Sequence, residues 1–200
     1  EILIGLVGSE MCIRDRIIQG ARQVGKTWIM KEFGARFYEN TVYINFDNNK
    51  AMKDVFELDF DLKRILSAIK IEYGKSFQAE NTLIIFDEIQ EVKDWEKCIN
   101  SFRVALDCDI YITGSNAKLL SGELATYLAG RYVEFIVYPF SFAEFLELYH
   151  SVFPEETVQK SFQQYILYGG MPYLANIRYA DEPSRQYLQD LFNSVQLKDI

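Results

Sequence analysis

Short apolar runs alternate along the chain with longer segments in which apolar residues recur every three or four positions. The runs Ile17–Gln19, Val42–Phe46, Thr82–Phe86, Ile110–Thr113 and Tyr132–Val137 read as strands, and their solid apolar character suits strands buried on both faces. Between them, Thr27–Phe37 carries Ile29, Met30, Phe33 and Phe37 along one side. Asp61–Tyr73 does the same with Leu62, Ile65, Leu66 and Ile69, and Asp94–Asp107 with Trp95, Ile99, Phe102 and Leu106. This rhythm predicts an α/β fold with a mostly parallel sheet. After Pro139 the period becomes helical throughout. Ser141-Phe-Ala-Glu144 reads as a capping box opening a helix to about His150, and the later helical pattern breaks at Gly169-Gly170-Met171-Pro172. The expected organisation is an α/β core over residues 17–138 and a helical region over 139–200.

Chemistry enters at the first strand-to-helix junction. Gly20-Ala21-Arg22-Gln23-Val24-Gly25-Lys26-Thr27 fits G-x-x-x-x-G-K-[ST] without a mismatch, after a strand and before a helix, the context that gives the pattern its meaning. Backbone N–H groups of such a loop converge on phosphate oxygens, aided by the helix N-terminus. The candidate nucleotide-binding set is Gly20–Thr27 with Trp28 beside it. Lys26 is expected to reach the terminal phosphates, and the Thr27 hydroxyl to ligate Mg²⁺. The bland alternative is a glycine-rich turn before an amphipathic helix.

The run Thr82-Leu-Ile-Ile-Phe-Asp87-Glu88 ends a buried strand in two carboxylates, at the edge where α/β sheets bind ligands. Asp87 is expected to hold Mg²⁺ through water, and Glu88 to polarise an attacking water. Otherwise Asp87 caps the next helix and Glu88 is a solvated charge. Another buried strand ends at Ser115-Asn116, either of which could sense the γ-phosphate, or simply cap a helix. Arg131 is placed to act on a nucleotide in its own chain or a neighbour's, or to lie solvated after Gly130. Arg22 reads as a packing or salt-bridge residue.

Charge and cysteine content narrow the alternatives. With 21 Lys plus Arg against 29 Asp plus Glu, the net charge of −8 gives no sign of a free-standing nucleic-acid binder. The three cysteines have no CxxC spacing and the single histidine is His150, which makes zinc-finger and Ser-His-Asp chemistry poor readings. An unpaired cysteine pattern without a membrane span or signal layout predicts a cytoplasmic protein. The run Gly5–Arg16 resembles translated sequencing-adapter read-through, so residues 1–16 are expected to be a non-native or disordered leader; the alternative is a short strand at Ile2–Val7. The chain stops inside a helical pattern, which predicts a truncated C-terminal region.

Taken with Val42-Tyr-Ile-Asn-Phe-Asp47, Pro139-Phe-Ser-Phe-Ala-Glu-Phe145 and Tyr168-Gly-Gly-Met-Pro172, these motifs resemble the prokaryotic AAA-type ATP-binding proteins. The resemblance covers about 17–200. It implies a P-loop NTPase three-layer sandwich whose parallel five-stranded sheet has order 5-1-4-3-2. It further implies ATP with Mg²⁺, Glu88 as catalytic carboxylate, and a further C-terminal domain in cis. A homo-oligomer is expected if Arg131 serves a neighbour. The leading functional expectation is Mg-dependent ATP hydrolysis. Its rival is a nucleotide-dependent switch with negligible hydrolysis. A GTPase would need N-K-x-D after the metal motif, and Asn49-Lys50-Ala51-Met52 lacks the Asp and precedes Asp87.

Overall fold

A computed structural model describes residues 15–59, 61–74, 81–106, 108–114 and 132–199. Strand β1 (Asp15–Gly20) leads into helix α1 (Lys26–Phe37) and strand β2 (Asn40–Asn45). Helices α2 (Lys50–Leu58) and α3 (Leu62–Tyr73) precede β3 (Thr82–Asp87), α4 (Trp95–Ala105), β4 (Asp109–Thr113) and β5 (Tyr132–Val137). The sheet order is β2-β3-β4-β1-β5, and the β2–β3, β3–β4 and β4–β1 pairs are all parallel. This is the expected order 5-1-4-3-2 read from the other edge.

The chain divides into two units, one of residues up to Gln19 with Lys26–Phe135, the other of Gly20–Gly25 with Ile136–Ile200. In the first, every residue of β1 and β3 is buried, as solid apolar runs require. Edge strand β2 alternates instead, burying Val42 and Ile44 and leaving Tyr43 and Asn45 half-buried. Beside it, Phe46, Phe56, Phe86 and Phe102 form an aromatic cluster, with centroids 5.0 Å apart for Phe46–Phe56 and 5.5 Å for Phe86–Phe102. Phe56 reaches it from α2, a nine-residue helix that the chain pattern did not announce. The side chain of Asn49 caps α2 by accepting from Met52 N at 3.0 Å, and Met52 and Phe56 turn inward one helical turn apart. Burial pushes the Cys98 thiol up to about 12, so it packs as an apolar group.

Strand β1 begins at Asp15, two residues before the apolar run and inside the stretch set aside as a leader. The β4 ladder carries it back, pairing Asp15 with Ile110 and Arg16 with Tyr111. Backbone pairing draws in residues that their side chains alone would leave outside. Residues 1–14, with the Ile2–Val7 run, lie outside the described residues.

The second unit is built on α5 (Phe142–Val152), α6 (Val158–Tyr168) and α7 (Asp181–Asp199). The expected capping box opens α5: Glu144 N donates to Ser141 Oγ at 3.4 Å and Ser141 N donates to Glu144 Oε2 at 2.9 Å. Phe145, Tyr149 and Tyr179 supply an aromatic core, with centroids 5.0–5.4 Å apart. The break at Gly169-Gly170 now has a cause. Gly169 ends α6 at φ 74°, and a Cβ on Gly170 would lie 2.1 Å from the Phe140 carbonyl oxygen. Phe140 N also donates to Gly170 O at 2.8 Å, so the two backbones are clamped. Gly170→Ala is therefore expected to lose about 1–3 kcal/mol in urea unfolding; a midpoint equal to that of the parent chain would refute the clamp.

Candidate functional site

The candidate phosphate loop follows β1 directly. Gly20 has φ 145°, and a Cβ there would sit 2.1 Å from the Val137 carbonyl oxygen, so only glycine fits. Gln23 and Gly25 also have positive φ, at 62° and 97°. A backbone that alternates hand in this way turns successive N–H groups toward a common side, the arrangement that binds anions. Val24 is buried, Ala21, Gln23 and Trp28 are exposed, and Arg22 and Gly25 are half-buried.

Helix α1 opens at Lys26, whose side chain is buried, and its first turn holds no acidic residue. The next residue makes the decisive contact. Thr27 Oγ1 donates to Asp87 Oδ2 at 3.1 Å, across 60 residues of sequence. Asp87 ends β3 and is only 3% exposed. Its carboxylate does not cap a helix, because the residue before the following 3-10 turn is Glu88. Instead Oδ2 also accepts from Asn45 Nδ2 at 3.0 Å and from the Tyr43 hydroxyl.

The register explains these contacts. Asn45 and Asp87 are aligned across the parallel β2–β3 ladder, and Phe46 N donates to Asp87 O at 3.0 Å. Tyr43, two residues earlier, lies on the same face as Asn45. Asn45 Nδ2 also donates to the Tyr43 hydroxyl at 3.2 Å, and Lys31 Nζ lies 3.7 Å from the Tyr43 ring centroid. Burial, reinforced by the bond to Asp87, raises the Tyr43 phenol well above its ordinary range and keeps it a donor.

Glu88 stands next to this cluster with left-handed backbone, φ 55° and ψ 44°. That conformation costs a non-glycine residue about 1–2 kcal/mol. Gln90 Nε2 donates to Glu88 Oε2 at 2.5 Å, while Gln90 Oε1 is buried without a hydrogen-bond partner among the described residues.

The structure thus brings Thr27 to Asp87, with Glu88 next in the chain. Ser115, Asn116 and Arg131 lie outside the described residues. Tyr43, Asn45 and Gln90 were not assigned from the chain pattern. For Tyr43 and Asn45 the available signal is the alternation of polar 43 and 45 with apolar 42, 44 and 46, which marks a face of a strand but not its partner. Thr27 and Asp87 supply a hydroxyl and a carboxylate, the hard oxygen donors that suit Mg²⁺. Among the described residues no cluster of three or more His, Cys, Asp or Glu could hold a metal, and no helix is long and apolar enough to cross a membrane.

The model of an AAA domain matches residues 15–146, which include both the loop and the β3 carboxylates. The chain belongs to this AAA family. As an AAA-type P-loop ATPase domain it resembles an uncharacterized protein of Haemophilus influenzae, 38% identical over 196 residues, with 92% of this chain and 46% of that protein covered. An uncharacterized protein of Methanocaldococcus jannaschii is 29% identical over 188 residues, covering 88% of this chain and 40% of the relative. The AAA chain therefore spans less than half the length of these relatives.

Among solved structures, it resembles a signal transduction ATPase with numerous domains and a tetratricopeptide repeat sensor from Pyrococcus horikoshii. That match has a TM-score of 0.51 at 14% identity, covering 84% of this chain and 28% of the other. At that identity the likeness concerns the fold.

Proposed function

We propose that this AAA domain binds Mg-ATP on Gly20–Thr27 and hydrolyses it with Glu88 as general base. The observation that carries the reading is the Thr27–Asp87 hydrogen bond. Thr27 gives its only hydroxyl hydrogen to the carboxylate, so its oxygen lone pairs are what it offers a cation. Backbone N–H groups of Gly20–Gly25 would cradle the phosphates, with Lys26 on the terminal ones. Thr27 would ligate Mg²⁺ directly and Asp87 through water. Held there, Mg²⁺ would supply positive charge to offset the negative charge that develops during transfer.

Glu88 would accept a proton from water as its oxygen attacks the γ-phosphorus, and the bond to the β–γ bridging oxygen would break to release ADP. Ser115 or Asn116 would contact the γ-phosphate, and Arg131 would act from the same or a neighbouring chain. Trp28, exposed next to Thr27, would flank the nucleotide.

One observation favours the rival reading of a switch with negligible hydrolysis. Glu88 already accepts a hydrogen bond from Gln90, which competes with its holding a water. The binding half of the proposal is tested by calorimetric titration with Mg-ATP. Lys26→Ala is expected to weaken affinity about 10–100-fold, the worth of a lost charge-assisted bond. Equal affinity for the two proteins, or no heat from either, would refute it.

A further inference from the structure

The carboxylate of Asp87 is held from β2, by residues with no part in the motifs that mark the nucleotide site. The two oxygens of an aspartate are chemically equivalent until their partners distinguish them. Here the partners are strongly unequal. Thr27 Oγ1, Asn45 Nδ2 and the Tyr43 hydroxyl all donate to Oδ2. A carboxylate oxygen offers about two lone-pair sites, so three donors saturate it. Any further electrophile, whether a cation or a water bound to one, must therefore use Oδ1.

We propose that Tyr43 is a positioning residue for the metal-side carboxylate: with Asn45 it holds Oδ2 of Asp87 and reserves Oδ1 for hydrated Mg²⁺. The inference rests on the Mg-ATP reading and adds to it a role for the β2 tip.

Three features make Tyr43 suited to this. The β2–β3 register places Asn45 level with Asp87, which fixes Tyr43 one strand period behind it. Asn45 Nδ2 donates to the Tyr43 oxygen at 3.2 Å, so that oxygen accepts from one side and donates to Asp87 on the other, which sets the direction of its hydrogen. The Lys31 ammonium, 3.7 Å from the ring centroid, holds the ring from α1. The hydroxyl is thereby aimed before any nucleotide arrives. An Asp87 free to turn about its two side-chain torsions would have to be ordered by the cation itself, at an entropic cost charged to metal binding.

The test is a pair of titrations on Tyr43→Phe, which keeps the ring over Lys31 and removes only the hydroxyl. ATP is titrated by calorimetry in EDTA and then at a series of Mg²⁺ concentrations. Affinity in EDTA is expected to stay within about twofold of the parent, while the Mg²⁺ concentration giving half of the metal-dependent tightening rises about tenfold, as for loss of a hydrogen bond to a charged group. Asn45→Ala is expected to shift it the same way, and it carries the test should Tyr43→Phe melt early. In an Asp87→Ala background, Tyr43→Phe should add nothing, because its effect runs through the carboxylate.

An unchanged Mg²⁺ midpoint in both variants would overturn the inference while leaving Mg-ATP binding intact. So would a shift of equal size without Asp87. Failure of the parent to bind ATP in either buffer would instead remove the nucleotide reading, and this inference with it.

Discussion

Glu88→Gln is expected to lower ATP turnover by about 10²–10⁴-fold while leaving Mg-ATP affinity within about twofold. The amide cannot take a proton from water, which is the one thing the proposed mechanism asks of this side chain. Little else should change. Its oxygen can still accept from Gln90 Nε2, which now meets the Glu88 carboxylate at 2.5 Å, and a side chain of the same shape sits on the same left-handed backbone. In the proposed function binding draws on the loop, Lys26, Thr27 and Asp87, none of which the substitution replaces. Phosphate release in a single turnover, beside an equilibrium titration, separates the two quantities. Turnover equal to the parent's would show that hydrolysis does not pass through Glu88. A parent that binds tightly but releases almost no phosphate would establish the switch reading instead.

Asp15→Asn is expected to stabilise the first unit by up to about 3 kcal/mol above pH 7, chiefly an effect of burial. Asp15 is 2% exposed, and neither of its oxygens has a hydrogen-bond partner among the described residues. Burial raises its pKa from 3.8 to about 6; Arg103, 4.0 Å away, opposes the rise, the nearby Asp109 adds to it, and Arg16 opposes it again. A folded-state pKa above the unfolded one means that the native chain binds the proton more tightly. The resulting stability is complete below about pH 4 and is lost as pH rises through about 6. From there upward the folded chain carries a buried, poorly paired charge.

The asparagine variant has no such charge, so its advantage should grow from near zero at pH 4 to a plateau above pH 7. The figure is an upper bound, because the new amide is buried too. Urea unfolding at pH 4.5 and 7.5 reads the difference. Equal gains at both values would show that the carboxylate's ionisation is not what costs stability.

Much of the site was legible because its chemistry is local. The candidate phosphate loop is eight consecutive residues between a strand and a helix, and its glycines stand where φ is positive or a backbone crosses closely, at Gly20 and Gly25. The end of β3 was equally plain, since a solid apolar run halting at Asp87-Glu88 can only be a buried strand reaching an edge. Tyr43 and Asn45 were not legible as site residues. Val42–Phe46 reads as a solid apolar run, and the polar positions 43 and 45 within it acquire meaning only from what lies opposite. The helix α2 differs: Met52, Val55 and Phe56 stand at helical spacing, but nine residues are too few to form a stable helix alone, and this one is held by Phe56 packing among three other aromatic rings.

By itself the sequence determined the class of fold, the strand list, the helix cap at Ser141, and the glycine-rich turn and paired carboxylates of the candidate site. Each depends on periodicity or on residues within a few positions of one another, which the local backbone reads directly. Tertiary structure alone decided that Thr27 meets Asp87 and that β2 loads one oxygen of that carboxylate with three donors. It also decided that a charged Asp15 is carried into the sheet by its neighbour's ladder, and that Gly170 must lack a side chain. Those outcomes depend on register and on the approach of backbones distant in sequence. A one-residue slip of β2 against β3 would leave every local propensity intact and turn Tyr43 and Asn45 to the other face, away from Asp87.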